Sequence, residues 1–255
     1  MSDRATVPHM TPDEFRVLGH RMVDAVADYM SRVESMPVLP ACKPGDVLRQ
    51  LPSAAPHAPG GVAGWDAIFA DIERVILPAI TNWQSPHFYG FFPANASGPA
   101  ILGELLAAGL GVQGMLWLTS PACTELEMRV LDWLVDALDL PDAFRHEPRH
   151  LAPGAKPPGG GVIQSTASDA TLVALLAARE RARRDGKSGH LTLYTSTQSH
   201  SSVIKAAMIA GLAANPEDRT HLRLIDTDHA FAMDVAKLEA ALRTDLAAGR
   251  TPVYV

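Results

Sequence analysis

The sequence predicts an α/β protein: a run of helices followed by alternating strands and helices that make a mostly parallel sheet. Three observations carry this expectation. From Gly161 onward short apolar runs alternate with helix-length segments, the pattern of strands linked by crossover helices. Before that, the chain shows helical periodicities with start signals and no strand-like alternation. With 255 residues, 47% hydrophobic and 20% charged, the chain is long enough to bury a sizeable core.

The elements follow in order. Thr11, Pro12 and Glu14 form a T-x-x-E capping box with proline at the first helical position. Phe15, Leu18, Met22, Val26, Tyr29 and Val33 then recur at helical spacing, and Pro37 and Pro40 end the helix. Residues 41–64 are rich in Pro, Gly and Ala and read as an extended connector before a second helix from about Trp65 to Ile76. Helices over Pro99–Gly109 and Pro121–Leu138 each have a serine shortly before a proline. Strand Gly161–Gln164 then precedes helix Asp169–Arg184, and strand Leu191–Thr195 precedes helix Ser201–Leu212. Strand Leu222–Ile225 precedes helix Asp234–Ala248, and Pro252–Val255 forms a further strand. Parallel strands are normally covered on both faces, so a chain stopping on TPVYV reads as cut rather than complete.

Charge and composition narrow the function classes. The net charge of −6 and the lack of a basic tail argue against nucleic acid, and the arginines at 179–184 suit a helix C-terminus. Cys42 and Cys123 stand in no metal-binding spacing, and no apolar signal core opens the chain, so a cytoplasmic location is expected. Between Val75 and Thr124 only Glu104 is charged, which calls for burial in a core, a ligand cleft or a subunit interface. The glycines and polar residues within 105–124 argue against a membrane span.

Two places invite chemistry. In GGGVIQSTASDATL the small residues Ser165, Thr166, Ala167 and Ser168 lie between an apolar run and a helix start. Free amides and the helix dipole suit an anion there; a plain N-cap by Ser168 fits the same geometry. His200, in TSTQSHSSV, falls just past a strand at the carboxyl edge, where open α/β sheets bind ligands, although a lone histidine also serves as a cap or surface residue. Trp83, Phe88, Tyr89, Phe91 and Phe92 crowd one loop of a chain only 6% aromatic. Gly109, Gly111 and Gly114 make a formal G-x-G-x-x-G, but it follows a helix and is read as chance.

FYGFFPANASGPAILGELL with SPACTELEMRVLDWL, then GGGVIQSTASDATLVALLAAR, then TSTQSHSSVIKAA, resemble the pyridoxal-phosphate-dependent group II decarboxylases, nearest the aromatic-L-amino-acid decarboxylase branch. EFRVLGHRMVDAVADYM and HAFAM…LEAALRTDLAAG extend the resemblance over almost the whole chain. It implies a fold type I enzyme binding pyridoxal 5′-phosphate and working as a homodimer with active sites at the interface. Residues 1–97 would be the dimerisation segment with the aromatic loop, and 98–255 the first part of the cofactor-binding domain. Thr166, Ala167 and Ser168 would hold the cofactor phosphate. His200 would stack on the pyridine ring beside the substrate carboxylate. Trp83, Phe91, Phe92, Pro93 and Ala94 would line the substrate pocket, and Met115 would approach the neighbouring subunit's pocket.

The resemblance implies decarboxylation of tyrosine, DOPA or tryptophan. Ala94, Phe91 and Met115 depart from the threonine, tyrosine and phenylalanine common in the family, which makes the pocket less polar. The family's cofactor-bonding lysine and pyridine-nitrogen aspartate fall beyond Val255. None of Lys43, Lys156, Lys187, Lys205 and Lys237 stands in the lysine motif, so the missing portion is expected as a second chain or as further residues. A non-catalytic partner subunit, an aldehyde synthase and action on glutamate remain alternative readings.

Overall fold

The computed structural model describes residues 9–55, 61–92, 96–149, 154, 159–187 and 189–255. The chain divides into two compact units, the first ending at Val112 and the second running from Gln113 to Val255.

In the first unit, α1 spans Pro12–Arg32. Its capping box is formed: the Glu14 amide donates to Thr11 Oγ1 at 3.2 Å, and the Thr11 amide donates to Glu14 Oε2 at 2.7 Å. Helix α2, Gly61–Asp71, starts earlier than the sequence suggests and loosens into a π-turn at Ile72–Ile76 and a 3-10 turn at Leu77–Ala79. Arg32 reaches both oxygens of Glu73 at 2.7 and 2.9 Å, and Arg21 pairs with Asp66 at 2.9 Å while lying over the Phe69 ring. Helix α3, Gly98–Leu110, is capped by Ser97 and stopped by Gly111 at φ 60°. The apparent G-x-G-x-x-G is therefore a helix stop, glycine taking the left-handed cap that other residues resist.

The second unit opens with α4, Pro121–Ala137, capped by Ser120. Helix α5 covers Ala167–Arg184, β1 Leu191–Ser196, α6 Ser202–Ile209, β2 Leu222–Ile225, α7 Val235–Ala247 and β3 Thr251–Tyr254. The sheet is all parallel in the order β2-β1-β3, with Leu193 opposite Leu222 and Leu191 opposite Thr251. Successive side chains of β1 take opposite faces. Leu191 and Leu193 pack with Leu175 of α5 and Ala206 and Ala207 of α6. On the other face Tyr194 donates to Asp245 of α7 at 2.7 Å, and Arg223 of β2 grips the same carboxylate at 2.9 and 2.6 Å.

One expected strand is absent: residues 161–164 pair with no strand among the described residues, and Val162 and Ile163 stand exposed. An apolar run is a strand only when it finds a ladder partner, and this one is held by side chains instead. The uncharged region does not bury itself, since Leu102, Leu106, Leu110, Met115, Leu116 and Leu118 are all exposed. Local sequence explains why the charge is missing but cannot say which surface covers the apolar side chains. No helix among the described residues is long and apolar enough to cross a membrane.

Candidate functional site

The small-residue turn opens α5. Thr166, in extended backbone, caps the helix by accepting from the Asp169 amide at 3.0 Å. The cap is thus Thr166 rather than Ser168. Among the described residues the Ala167 and Ser168 amides and the Ser168 hydroxyl have no hydrogen-bond partner, and all three residues of the turn are exposed. The helix dipole adds to two free donors here.

The placement of this turn follows from the packing of its helix. Arg179 of α5 donates to the carbonyl of Ala210, an offset of 31 residues. Leu175 shares the core cluster with Ala206 and Ala207, 31 and 32 residues further on, which agrees with α5 and α6 running in the same direction. The C-terminal half of α5 lies beside the start of β3, where Ala178, Arg181 and Ala182 share a crevice with Thr251 and Pro252. Thr166, Ala167 and Ser168 therefore lie at the carboxyl edge of the sheet, the edge that β1 leaves toward His200.

His200 is exposed, and its Nδ1 accepts the Ser202 amide at 3.2 Å. His200 precedes the N-cap residue Ser201 and takes up one amide at the start of α6 through one nitrogen only. Acceptance at Nδ1 leaves the proton of the neutral ring on Nε2, which is free to donate outward. Lys205 is exposed one turn into α6.

The aromatic loop belongs to the first unit. Asn82, almost fully buried, anchors it: its side chain donates to Pro37 O at 2.7 Å and accepts from the Tyr29 hydroxyl at 3.0 Å. The Trp83 ring packs tilted against Phe88 at 4.6 Å and Phe91 at 5.9 Å. Phe91 and Phe92 are about nine-tenths exposed, and Phe91 takes φ 53°, a left-handed conformation that costs a residue with a Cβ roughly 1–2 kcal/mol. Pro93 and Ala94 lie outside the described residues. Met115 is exposed in a turn that Thr119 closes by donating to Gln113 O at 2.7 Å. The structure thus gathers Thr166, Ala167, Ser168 and His200 in the second unit, and Trp83 with Phe91 and Phe92 in the first.

Sequence reasoning missed the side chains that hold the segment leading into the turn. His146 Nε2 lies 2.7 Å from the Gly161 carbonyl, and the Ile163 amide donates to Glu127 Oε1 at 2.7 Å. Neither partner could be read from spacing, because the pairs are 15 and 36 residues apart. The titrating groups of the sheet were missed too. Burial, with the bond to Asp245, pushes the Tyr194 hydroxyl up to about 12, although Thr192 opposes it. Burial also pushes the Asp245 carboxyl up, but the bonds from Arg223 and Tyr194 outweigh it and hold the group below the usual carboxylate range.

The second unit is thus an α/β unit whose parallel sheet carries, at its carboxyl edge, a helix start with two unpartnered amides and an exposed histidine. Comparison makes the class definite. Residues 44–255 match the pyridoxal-dependent decarboxylase conserved domain, and the chain belongs to that family. It is 42% identical to the aromatic-L-amino-acid decarboxylase of Bos taurus, over 96% of this chain and 49% of that protein. It is 40% identical to the histidine decarboxylase of Homo sapiens, over 96% of this chain and 36% of that one. The crystal structure of Oryza sativa TDC with PLP and tryptamine superposes with a TM-score of 0.84 at 36% identity, covering 98% of this chain and 52% of that one. The fold is thus that of a fold type I decarboxylase, and the chain spans 36% to 52% of the length of these relatives.

Proposed function

We propose that this chain forms the cofactor-phosphate half of a pyridoxal-phosphate-dependent carboxy-lyase that converts an aromatic L-amino acid (tyrosine, DOPA or tryptophan) to its amine and CO2. The observation that carries the reading is the pair of unpartnered amides at Ala167 and Ser168, opening α5 at the sheet edge that holds His200. The residues fit the group: two amide donors, the Ser168 hydroxyl and a helix dipole meet a phosphate dianion, and no side chain in the turn is large enough to block its approach.

When bound, pyridoxal phosphate supplies the electron sink for the bond pair left as CO2 departs. The chain's own residues bind and orient. Thr166 spends its side chain on Asp169, which leaves the amides of Ala167 and Ser168 for the phosphate. His200, with Nδ1 occupied by the Ser202 amide, presents its ring face for stacking and a proton at Nε2 for an anionic group such as a substrate carboxylate. Trp83, Phe91 and Phe92 offer flat apolar surface to the substrate side chain. Aromatic contacts there are each worth about 0.5–1.5 kcal/mol. The left-handed backbone of Phe91 supports a role for this loop, because such cost is kept where placement of the side chain matters.

The working unit in this proposal is a homodimer. The exposed apolar side chains of 102–118 and the apolar groove of about 1080 Å3 between α1 and α3 need cover, and a second copy supplies it. The lysine and aspartate of the family belong to the part of the relatives this chain does not span. Both described cysteines are free, which suits a reducing, cytoplasmic setting.

The test is to supply the protein with pyridoxal phosphate and a panel of L-tryptophan, L-tyrosine, L-DOPA, L-histidine and L-glutamate, identifying products by mass spectrometry. Amine and CO2 from an aromatic acid support the reading. An aldehyde product moves the chain to the synthase reaction, and turnover of histidine or glutamate alone overturns the substrate class.

A further inference from the structure

Three glycines lead into the turn, and two of them lie against side chains from the α4 region. A Cβ at Gly160 would stand only 2.2–2.4 Å from three atoms of the His146 ring, and one at Gly161 would stand 3.2 and 3.3 Å from the Leu131 methyls. The backbone passes this close because it is held. The Gly161 carbonyl can only accept, so His146 donates to it from Nε2 at 2.7 Å. Two residues on, the Ile163 amide donates to Glu127 at 2.7 Å.

Both clamps trace back to α4. Glu127 and Leu131 are one turn apart on that helix, so they share a face. His146 is fixed through its own amide, which donates to the buried carboxylate of Asp132 at 2.8 Å, with the Glu147 amide at 3.2 Å on the other oxygen. Arg145, itself buried, donates to the Asp132 carbonyl at 3.2 Å and pairs with Asp142 at 3.0 Å and with Asp136. The lead-in is thus held at Gly161 and Ile163 by side chains in place of a ladder, and the last of these holds lies three residues before Thr166.

We propose that His146 and Glu127 are positioning residues for cofactor binding: by fixing the Gly161 carbonyl and the Ile163 amide, they set the angle at which the chain enters the Thr166–Ser168 turn. The proposal rests on the reading of that turn as the phosphate site. An error of about 1 Å at a binding group is enough to lose much of its interaction, and the Ala167 and Ser168 amides hang directly on this lead-in.

The test compares His146→Leu with His146→Gln, and Glu127→Ala with Glu127→Gln. Each glutamine keeps the one bond in question, as donor at 146 or acceptor at 127. The readouts are the dissociation constant for pyridoxal 5′-phosphate by equilibrium dialysis and hydrogen exchange at residues 163–168, with β1 as internal control. His146→Leu and Glu127→Ala are each expected to weaken cofactor binding about tenfold, equivalent to about 1.4 kcal/mol. They should also speed exchange at 163–168 and leave β1 unchanged, while both glutamine variants stay within about threefold of the parent. A leucine variant that binds like the parent, or a glutamine variant as weak as leucine, overturns the proposal. Failure of the parent itself to bind the cofactor overturns the reading of the turn instead, and the exchange arm still decides whether the clamp orders it.

Discussion

Replacing Asp245 with asparagine tests whether the sheet is built as described. The carboxylate is buried and accepts from Tyr194 at 2.7 Å and from Arg223 at 2.9 and 2.6 Å, with Arg250 at 3.6 Å. Removing one partner of a buried ion pair costs about 3–5 kcal/mol. Asparagine retains one acceptor oxygen, and the Arg223 side chain is 21% exposed and can recover some hydration. The expected loss is then about 2–3 kcal/mol, or roughly 4–12 °C in Tm for a protein of this size. Because the folded carboxyl titrates below its ordinary value, its contribution is complete above the unfolded value of about 3.9 and is lost as pH falls through the folded one. Thermal melts followed by circular dichroism should show a constant gap between parent and Asp245→Asn from pH 7 to pH 5, narrowing below about pH 4. A melt within about 1 °C of the parent at pH 7, or a gap that widens on acidification, would refute the reasoning.

Thr166→Ala removes the side chain that accepts from Asp169 and should cost about 1 kcal/mol of stability, read as a lower Tm by calorimetry. Gly160→Ala drives a methyl into the His146 ring and should destabilise the parent by about 1–3 kcal/mol in urea unfolding. In a His146→Ala background the clash is relieved but the change should still destabilise, because the Gly160 backbone at φ 158° disfavours any Cβ; a double-mutant cycle measures the part that belongs to the ring.

Much of this architecture was written locally. Thr11 with Glu14, Ser97 with Pro99, and Ser120 with Pro121 each announce a helix start, and each caps where expected. The runs 191–195, 222–225 and 252–255 read as strands because each is short, largely apolar and followed or preceded by a helix, and strands form at 191–196, 222–225 and 251–254. Residues 161–164 share that composition and fail as a strand, because pairing depends on a partner that the run itself does not encode. The cap at Thr166 instead of Ser168 is a one-step choice between neighbouring hydroxyls. The Tyr194–Asp245 bond spans 51 residues and the Tyr29–Asn82 bond 53, and no periodicity foretells either. For the site, residue type and strand–helix order pointed to the turn and to His200. What supports the turn, His146 and Glu127, emerges only from packing.

The most direct measurement is a crystal structure of the protein grown with pyridoxal 5′-phosphate. The phosphate oxygens should lie within about 3 Å of the Ala167 and Ser168 amides, with the His200 ring facing the pyridine. A phosphate bound elsewhere, with these amides facing solvent and His200 turned away, would contradict the assignment.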